Sequence, residues 1–354
     1  MNELYRLIDA NLNRASEGVR VLEDLARLRF EHAGLCSELR ALRHGIRGAS
    51  DGVRARCLAA RAAETDVGLE VSRASQLDRK DSISDLVEAN FKRVQEALRV
   101  IEETLKLVDE YGLSKEYERY RFQVYGIEQR YAALLRPERA RAALDTDLYC
   151  ITAEEHSAGR SNVHVVSEML EAGVKLIQYR EKDKESGAKY RECLEIRRLT
   201  HEAKATFIVN DHPDLALMVG ADGLHLGQDD YPIEVVRSLV GEQMIIGLST
   251  HSPAQAEDAV RRGADYIGVG PLFRTFTKRN VCEPVGLEYL DYAVAHVPVP
   301  FVAIGGVKVH NVAEVRKRGA RCIAMVTEIV GAPDIRATIE AIRAALKEAE
   351  VQTA

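Results

Sequence analysis

VKLIQYREK, Val174 to Lys182, opens as an apolar run and closes with Gln178, Arg180 and Lys182 at alternate positions. Successive side chains of an extended chain face opposite ways, so these three polar groups point to one side at the end of a strand. A strand whose body is apolar and whose end is polar packs in a core and opens onto a site. The same grammar recurs in LYCIT (148–152), TFIVN (206–210), GLHL (223–226), MIIGL (244–248), YIGVG (266–270), FVAIG (301–305) and CIAMV (322–326). Amphipathic helical stretches alternate with these runs. Eight βα units in the 209 residues from 146 to 354 is the count of a (β/α)8 TIM barrel. A doubly wound open sheet is the other architecture that such a pattern allows.

Polar residues concentrate just after the strands. Asn210 and Asp211 end the third, GQDD (227–230) follows the fourth, STHS (249–252) the fifth and GPLFRTFTK (270–278) the sixth. Gly305 and Gly306 end the seventh strand, and Thr327 with Glu328 the eighth. In a barrel these ends share one rim, where active sites are built. Each has a plainer reading, since a lone Asp after a strand caps a helix, a rim cation is solvated surface and paired glycines make a turn. Convergence from several strands favours a site. Arg180, Lys182 and Lys278 supply cations, while Asp211 and Asp230 supply hard oxygen ligands, a set suited to a magnesium-bound diphosphate. The glycines after the seventh strand and Thr327 after the eighth suit a phosphate monoester. His251 reads either as a general base or as a support for the strand–helix junction.

Upstream, from Met1 to Arg136, the grammar is helical. Apolar residues at Ile8, Leu12, Ala15, Val19, Leu22 and Ala26 mark one buried stripe. NLNRASEGVRVLED (11–24) returns as NFKRVQEALRVIEE (90–103), and from Ala10 and Ala89 onward seven of fifteen positions are identical. Asn11, Arg14, Glu17, Arg20 and Glu23 thus match Asn90, Arg93, Glu96, Arg99 and Glu102. Exposed helix positions tolerate change, so repeated polar residues imply a task. One such task is reciprocal Arg–Glu pairing between the two helices of a duplicated hairpin. The other is phosphate binding by arginine forks, with Arg14, Arg20, Arg93 and Arg99 as candidates. Arg43 and His44 in LRHGIR, and Arg61 and Asp66 in LAARAAETDVG, are further candidates. No GxxxxGK[ST] cradle is present. PERARAALDT, Pro137 to Thr146, reads as a helical or extended connector. The expected organisation is therefore an all-α domain over 1–136, a linker over 137–145 and a TIM barrel over 146–354.

A net charge of −6 in 354 residues gives no reason to expect nucleic acid or an anionic membrane as partner. The six cysteines are scattered, with no CxxC pair, as free thiols are in a reducing cytosol. No basic and apolar leader opens the chain, and no apolar run approaches a membrane span, so the expected location is cytoplasmic. A homo-oligomer is left open.

QYREK, ND, GQDD, GLSTHS, GPLFRTFTK, AIGG and MVTE, in this order and at these strand ends, resemble the thiamine phosphate synthase (ThiE) family from Thr146 to about Glu348. The resemblance implies a transferase that couples 4-amino-2-methyl-5-hydroxymethylpyrimidine diphosphate to 4-methyl-5-(2-hydroxyethyl)thiazole phosphate and releases pyrophosphate, with Mg²⁺ as cofactor. It implies that Gln178, Tyr179, Arg180, Glu181, Lys182, Asn210, Ser249 and Lys278 hold the pyrimidine diphosphate, with Arg180, Lys182 and Lys278 catalytic. Asp211 and Asp230 would hold the metal, and Thr275, Phe276, Thr277, Gly306, Val326 and Thr327 the thiazole phosphate. Thr327 stands where many relatives carry Ser, which keeps a hydroxyl; Arg321-Cys322 replaces a frequent Asp-Gly at the far end of the last strand. The related thiazole tautomerases share the scaffold, but Arg180, Lys182, Asp211, Asp230 and Lys278 together favour a site for diphosphate and metal. Upstream, ANLNRASEGVRVLEDLARL, AAR…DVG and ANFKRVQEALRVIEE resemble ThiD2, a hydroxymethylpyrimidine phosphate kinase family. That implies ATP as a substrate and a bifunctional chain. The alternative keeps the synthase barrel and makes the helical half a non-catalytic dimerisation or regulatory domain.

Overall fold

The computed structural model describes residues 1–61, 80, 82–277 and 282–351. Two compact units are present, Met1–Leu135 and Arg136–Ala354. In the first, the described helices are α1 (Asn2–Leu28), α2 (Ala33–Ala49), α3 (Asp51–Ala59), α4 (Ile83–Leu107) and the greater part of α5 (Tyr111–Leu144). The His32 ring accepts from Leu35 N–H to start α2, and Ser82 and Asp85 form a reciprocal capping box at α4. The stripe read on α1 is the buried one: Ile8, Ala15, Val19, Leu22 and Ala26 lie in one core with Val94, Leu98 and Ile101 of α4. α1 and α4 approach closely at Gly18, where a Cβ would stand 2.7 Å from Val94 Cγ2.

The second unit is a closed barrel of eight parallel strands in chain order, as the spacing of the βα units predicts. They are β1 (Leu148–Ile151), β2 (Leu176–Tyr179), β3 (Thr206–Asn210), β4 (Gly223–Leu226), β5 (Ile245–Thr250), β6 (Tyr266–Val269), β7 (Phe301–Ala303) and β8 (Cys322–Met325). Period-two alternation sorts their side chains. Leu148, Cys150, Ile177, Tyr179, Phe207, Val209, Ile267 and Ile323 pack outward among the helices. Tyr149, Ile151, Leu176, Ile208, Ile245, Tyr266, Val302, Cys322 and Ala324 form a separate interior cluster. The stretch read as a connector is helical through Leu144, and Ala140 and Leu144 join that interior cluster. Among the described residues, no helix is long and apolar enough to cross a membrane.

The interior is crowded on one side. Tyr266 is fully buried, and a Cβ at Gly247 on neighbouring β5 would stand 2.1 Å from its Cζ. Gly247 is therefore the space that Tyr266 occupies. Gly247→Ala should cost about 1–3 kcal/mol by overpacking. Gly126→Ala, in the interior of α5 with nothing within 4 Å of the added methyl, should stabilise by about 0.5–1 kcal/mol through helix propensity. Urea unfolding of the two variants against the parent chain checks both signs.

Candidate active site

β2 runs straight into the mouth of the barrel, and the alternation that sorts its body also sorts its end. Gln178 continues the inward row of Leu176, and its amide Nε2 donates to the Tyr149 hydroxyl at 2.7 Å. Arg180 follows; its backbone N–H donates to Thr152 Oγ1 at 2.9 Å. The Arg180 side chain is 9% exposed, and its Nε–H is buried without a hydrogen-bond partner among the described residues. An Nε–H so placed has lost water without gaining an acceptor, which suits the guanidinium to an anionic ligand. Lys182, next in the row, forms an ion pair with Asp211.

Tyr179 and Glu181, expected with the pyrimidine-binding group, turn the other way. The Tyr179 hydroxyl donates to Glu192 at 2.7 Å, and Glu181 accepts from the Glu154 N–H and Asn162 Nδ2, both at 2.9 Å. Strand alternation thus sends three side chains of QYREK to the mouth and two to the helix layer.

Asp211 sits at φ +61° just beyond β3, with its N–H bonded to the His225 carbonyl at 2.9 Å. Asp230, after β4, accepts the Gly227 N–H at 2.7 Å, and its carboxyl shares a hydrogen bond with that of Asp211. Burial alone would raise both acids. The hydrogen bond from Asp230 and the Lys182 ammonium hold Asp211 below its ordinary range, whereas burial and the hydrogen bond to Asp211 push Asp230 up. Asp230 is therefore the acid of the pair that takes up a proton first as pH falls. No cluster of three or more His, Cys, Asp or Glu side chains suited to a metal occurs among the described residues. Two adjacent carboxylates are what Mg²⁺ takes when ligand oxygens and water fill the remaining positions.

Deeper in the interior, β4 and β5 place His225 and Ser249 on the inward face. His225 Nε2 lies 2.9 Å from Ser249 Oγ, and its Nδ1 lies 3.0 Å from the Tyr266 hydroxyl. That hydroxyl lies 3.0 Å from Tyr149 Oη. Gln178 and Ser249 are thus joined through Tyr149, Tyr266 and His225, three residues that motif reading passed over. Their signal was positional, because each shares the inward row of a strand whose mouth residues had been singled out. Asn210 ends β3 on the same inward row as Ile208 and is 8% exposed.

Around the other side of the rim, the loop after β6 packs on the loop after β7. Leu272 and Phe273 donate backbone N–H groups to Ile304 and Gly305, each at 2.9 Å. Gly306 has φ +66°, and a Cβ there would stand 2.6 Å from the Arg274 carbonyl, so neither the backbone conformation nor the space admits a side chain. Thr275 and Thr277 hydroxyls are 3.1 Å apart, and Phe276 is exposed. Val326 and Thr327 are half-buried at the start of a short helix after β8. Lys278 lies outside the described residues. The His251 ring is held at 2.5 Å to the Gly270 carbonyl, which assigns it to the junction between loops.

In the helical unit, Glu23 and Glu102, equivalent in the two copies, are each 1% exposed. Glu23 accepts from Arg40 and Arg43, both at 2.9 Å, with Arg20 at 3.6 Å. Glu102 accepts from Arg99 at 2.8 Å and Arg121 at 3.1 Å. The repeated Arg–Glu pairs are therefore not reciprocal between α1 and α4. Each buried carboxylate is neutralised from its own helix and from the helix after it, which supplies Arg43 in one copy and Arg121 in the other. Asn11 and Asn90 likewise repeat one contact, each donating to the carbonyl four residues earlier at 2.8 Å. Arg61 grips Asp9 with two bonds of 2.7 and 2.9 Å. Arg14, Arg93 and His44 are exposed, and Asp66 lies outside the described residues. Arg20 and Arg43 meet at Glu23, whereas Arg99 is held at Glu102 and Arg61 at Asp9.

Residues 148–329 match the thiamine monophosphate synthase family, and residues 6–130 match the ThiD2 family. A thiamine-phosphate synthase of Pelotomaculum thermopropionicum is 63% identical over 207 residues, covering 58% of this chain and 95% of that protein. One of Thermosynechococcus vestitus is 39% identical over 350 residues, 98% of this chain and 96% of the relative. The solved structure of a thiamine phosphate pyrophosphorylase from Pyrococcus furiosus shares 38% identity, with a TM-score of 0.54, over 59% of this chain and 98% of that one.

Burial raises the Glu23 carboxyl, but hydrogen bonds from Arg40 and Arg43 outweigh it and hold the group below its ordinary value. Its contribution to stability is accordingly present above the ordinary carboxylate range and lost as pH falls through the lowered value. Glu23→Gln should therefore destabilise the helical unit by about 1–3 kcal/mol at pH 7, with the deficit shrinking below about pH 4. Hydrogen exchange in peptides spanning residues 15–46 against urea reads it.

Proposed function

Because the chain belongs to the thiamine phosphate synthase family, carrying a ThiD2-family region ahead of its barrel, we propose that the barrel couples 4-amino-2-methyl-5-hydroxymethylpyrimidine diphosphate to 4-methyl-5-(2-hydroxyethyl)thiazole phosphate. In this reaction the bond from the pyrimidine methylene to oxygen breaks and pyrophosphate leaves with the electron pair. The thiazole nitrogen then forms the new carbon–nitrogen bond. The observation that carries the reading is the charge arrangement at the mouth: a buried, unpartnered Arg180 Nε–H beside the sequence that delivers Lys182 to Asp211 and Asp230.

Asp211 and Asp230 are the residues that would hold Mg²⁺, which when bound supplies positive charge to the leaving diphosphate. Both carboxylates must be ionised to hold it, so binding weakens as pH falls through the raised range of Asp230. Arg180 and Lys182 hold the same diphosphate, Lys182 exchanging Asp211 for phosphate oxygens. Lys278 has this role by sequence position. Gln178, Asn210 and Ser249 orient the pyrimidine ring. Gly306, Val326 and Thr327 receive the thiazole phosphate, with Thr275 to Thr277 closing over it. Fixed charges around a departing anion supply most of the catalysis such a dissociative step requires.

The ThiD2-family region supports a second step, in which the γ-phosphoryl group of ATP passes to the pyrimidine monophosphate to make the diphosphate the barrel consumes. A competing reading keeps that region structural, and one observation favours it: Arg20, Arg43, Arg61 and Arg99 are all engaged by carboxylates of their own unit.

One assay on the full chain separates these. Given ATP, Mg²⁺, pyrimidine monophosphate and thiazole phosphate, the bifunctional enzyme yields ADP, pyrophosphate and thiamine phosphate. Arg180→Met should lower coupling from the diphosphate by about 10²–10³-fold while ADP formation persists. Coupling from supplied diphosphate without any ADP from the monophosphate would retire the kinase step and leave the synthase standing. Unchanged coupling in Arg180→Met would show that the diphosphate binds elsewhere.

A further inference from the structure

The loop after β7 is held carbonyl by carbonyl. Ile304 and Gly305 accept the backbone N–H groups of Leu272 and Phe273, each at 2.9 Å, and Gly306 accepts the Asn311 side-chain Nδ2 at 3.1 Å. A trans peptide is planar and carries its N–H opposite its C=O, so fixing these carbonyls fixes the N–H groups of Gly305, Gly306 and Val307. These donors have no hydrogen-bond partner among the described residues. The next two N–H groups are taken: Lys308 donates to Asn311 Oδ1 at 2.7 Å, and Val309 to Glu328 Oε1 at 3.0 Å. Glu328 thereby ties this loop to Thr327, its neighbour in the chain, and Lys308 Nζ compensates its carboxylate at 2.8 Å. The direction of the Asn311 amide is fixed by its partners. A backbone N–H only donates and a carbonyl only accepts, so Oδ1 faces Lys308 and Nδ2 faces Gly306.

We propose that Asn311 is a positioning residue for the phosphate of the second substrate: by holding the Gly306 carbonyl it orients the Val307 N–H, and so sets how strongly the enzyme prefers the phosphorylated thiazole to the free alcohol. The inference rests on the reading that Gly306 and Thr327 receive the thiazole phosphate. The loop after β6 holds the first two peptide planes through its backbone, independently of its side chains. The third depends on one side chain. Gly305 and Gly306 lie at φ +98° and +66°, a region glycine enters without steric cost, and the Gly306 carbonyl has no other tie among the described residues. Without Asn311 the Gly306–Val307 plane is free to turn, and ordering its N–H against a phosphate then costs part of the binding energy. The free alcohol places no anion against these donors. Its use is therefore independent of Asn311.

The test is the ratio of kcat/KM for 4-methyl-5-(2-hydroxyethyl)thiazole phosphate to that for the unphosphorylated alcohol. It is measured on the full chain by pyrophosphate release, with the pyrimidine diphosphate saturating. The wild-type protein should favour the phosphate by about 10²-fold or more, the scale on which a site rejects an analogue that leaves its polar groups unpaired. Asn311→Ala should reduce that ratio about tenfold, the worth of one such hydrogen bond, with the KM for the pyrimidine diphosphate unchanged. Asn311→Asp keeps the acceptor for the Lys308 N–H but sets a second oxygen against the Gly306 carbonyl, so it should reduce the ratio at least as far. An alanine variant that melts as the parent does and keeps the parent ratio overturns the proposal. So does an aspartate variant that restores the ratio, because the side chain would then serve only to anchor Lys308. If the alanine variant does not fold, Asn311→Ser, whose hydroxyl accepts from Lys308 but is too short to reach Gly306 as well, is read in its place. A wild-type protein without the preference removes the phosphate reading of this loop, and the proposal with it. Failure to release pyrophosphate with either thiazole would instead remove the synthase reading itself.

Discussion

The Tyr266 hydroxyl reaches both Tyr149 and His225, and its ring stands in the barrel interior because Gly247 on the adjacent strand has no side chain. A small barrel is filled by its own inward side chains, so a large residue on one strand must be matched by a small one beside it. Here that exchange of volume does more than fill space. It carries a polar group to the centre of an otherwise apolar layer of Ile151, Leu176, Ile208, Ile245 and Val302. From there the connection to Gln178 and Ser249 follows from strand register. Gln178 and Ser249 at the floor of the mouth each have a partner within the barrel.

The charged part of the mouth is built differently. Lys182, Asp211 and Asp230 neutralise one another, whereas Arg180 Nε–H is buried with no partner among the described residues. An anion would satisfy the arginine. Lys182 is more than half exposed while Asp211 is nearly buried, so the lysine is the mobile member of the pair. The arrangement thus separates a fixed polar floor from a rim whose charges can be redistributed.

The helical unit shows duplication acting on the same physics. A buried carboxylate needs compensating charge from groups able to reach it. Glu23 and Glu102 obtain theirs from equivalent places, an arginine on their own helix and the helix that follows, which supplies Arg40 and Arg43 to Glu23 and Arg121 to Glu102. A repeat of polar residues on an amphipathic helix is thereby explained by an interior ion pair. Asn11 and Asn90 repeat a backbone contact in the same manner. This accounts for much of the identity between the copies through folding, and leaves the exposed Arg14, Glu17, Arg93 and Glu96 as the repeated residues without a structural task among the described contacts.

Much of this was legible in the chain alone. Strand count, the change of grammar after Thr146 and the inward placement of Gln178, Arg180 and Lys182 follow from periodicity, a local property that sequence carries directly. So does the repeat between α1 and α4. Three things were not legible. Tyr149, Tyr266 and His225 read as core or as incidental polar residues until β1, β4 and β6 closed around one axis. Tyr179 and Glu181 sat within a recognisable motif, yet their side chains belong to the helix layer. The partners of Glu23 and Glu102 came from α2 and α5 rather than from each other. In each case the deciding quantity is a distance between residues separated by many positions in sequence. Periodicity tells which way a side chain points, and only the closed structure tells what it meets there.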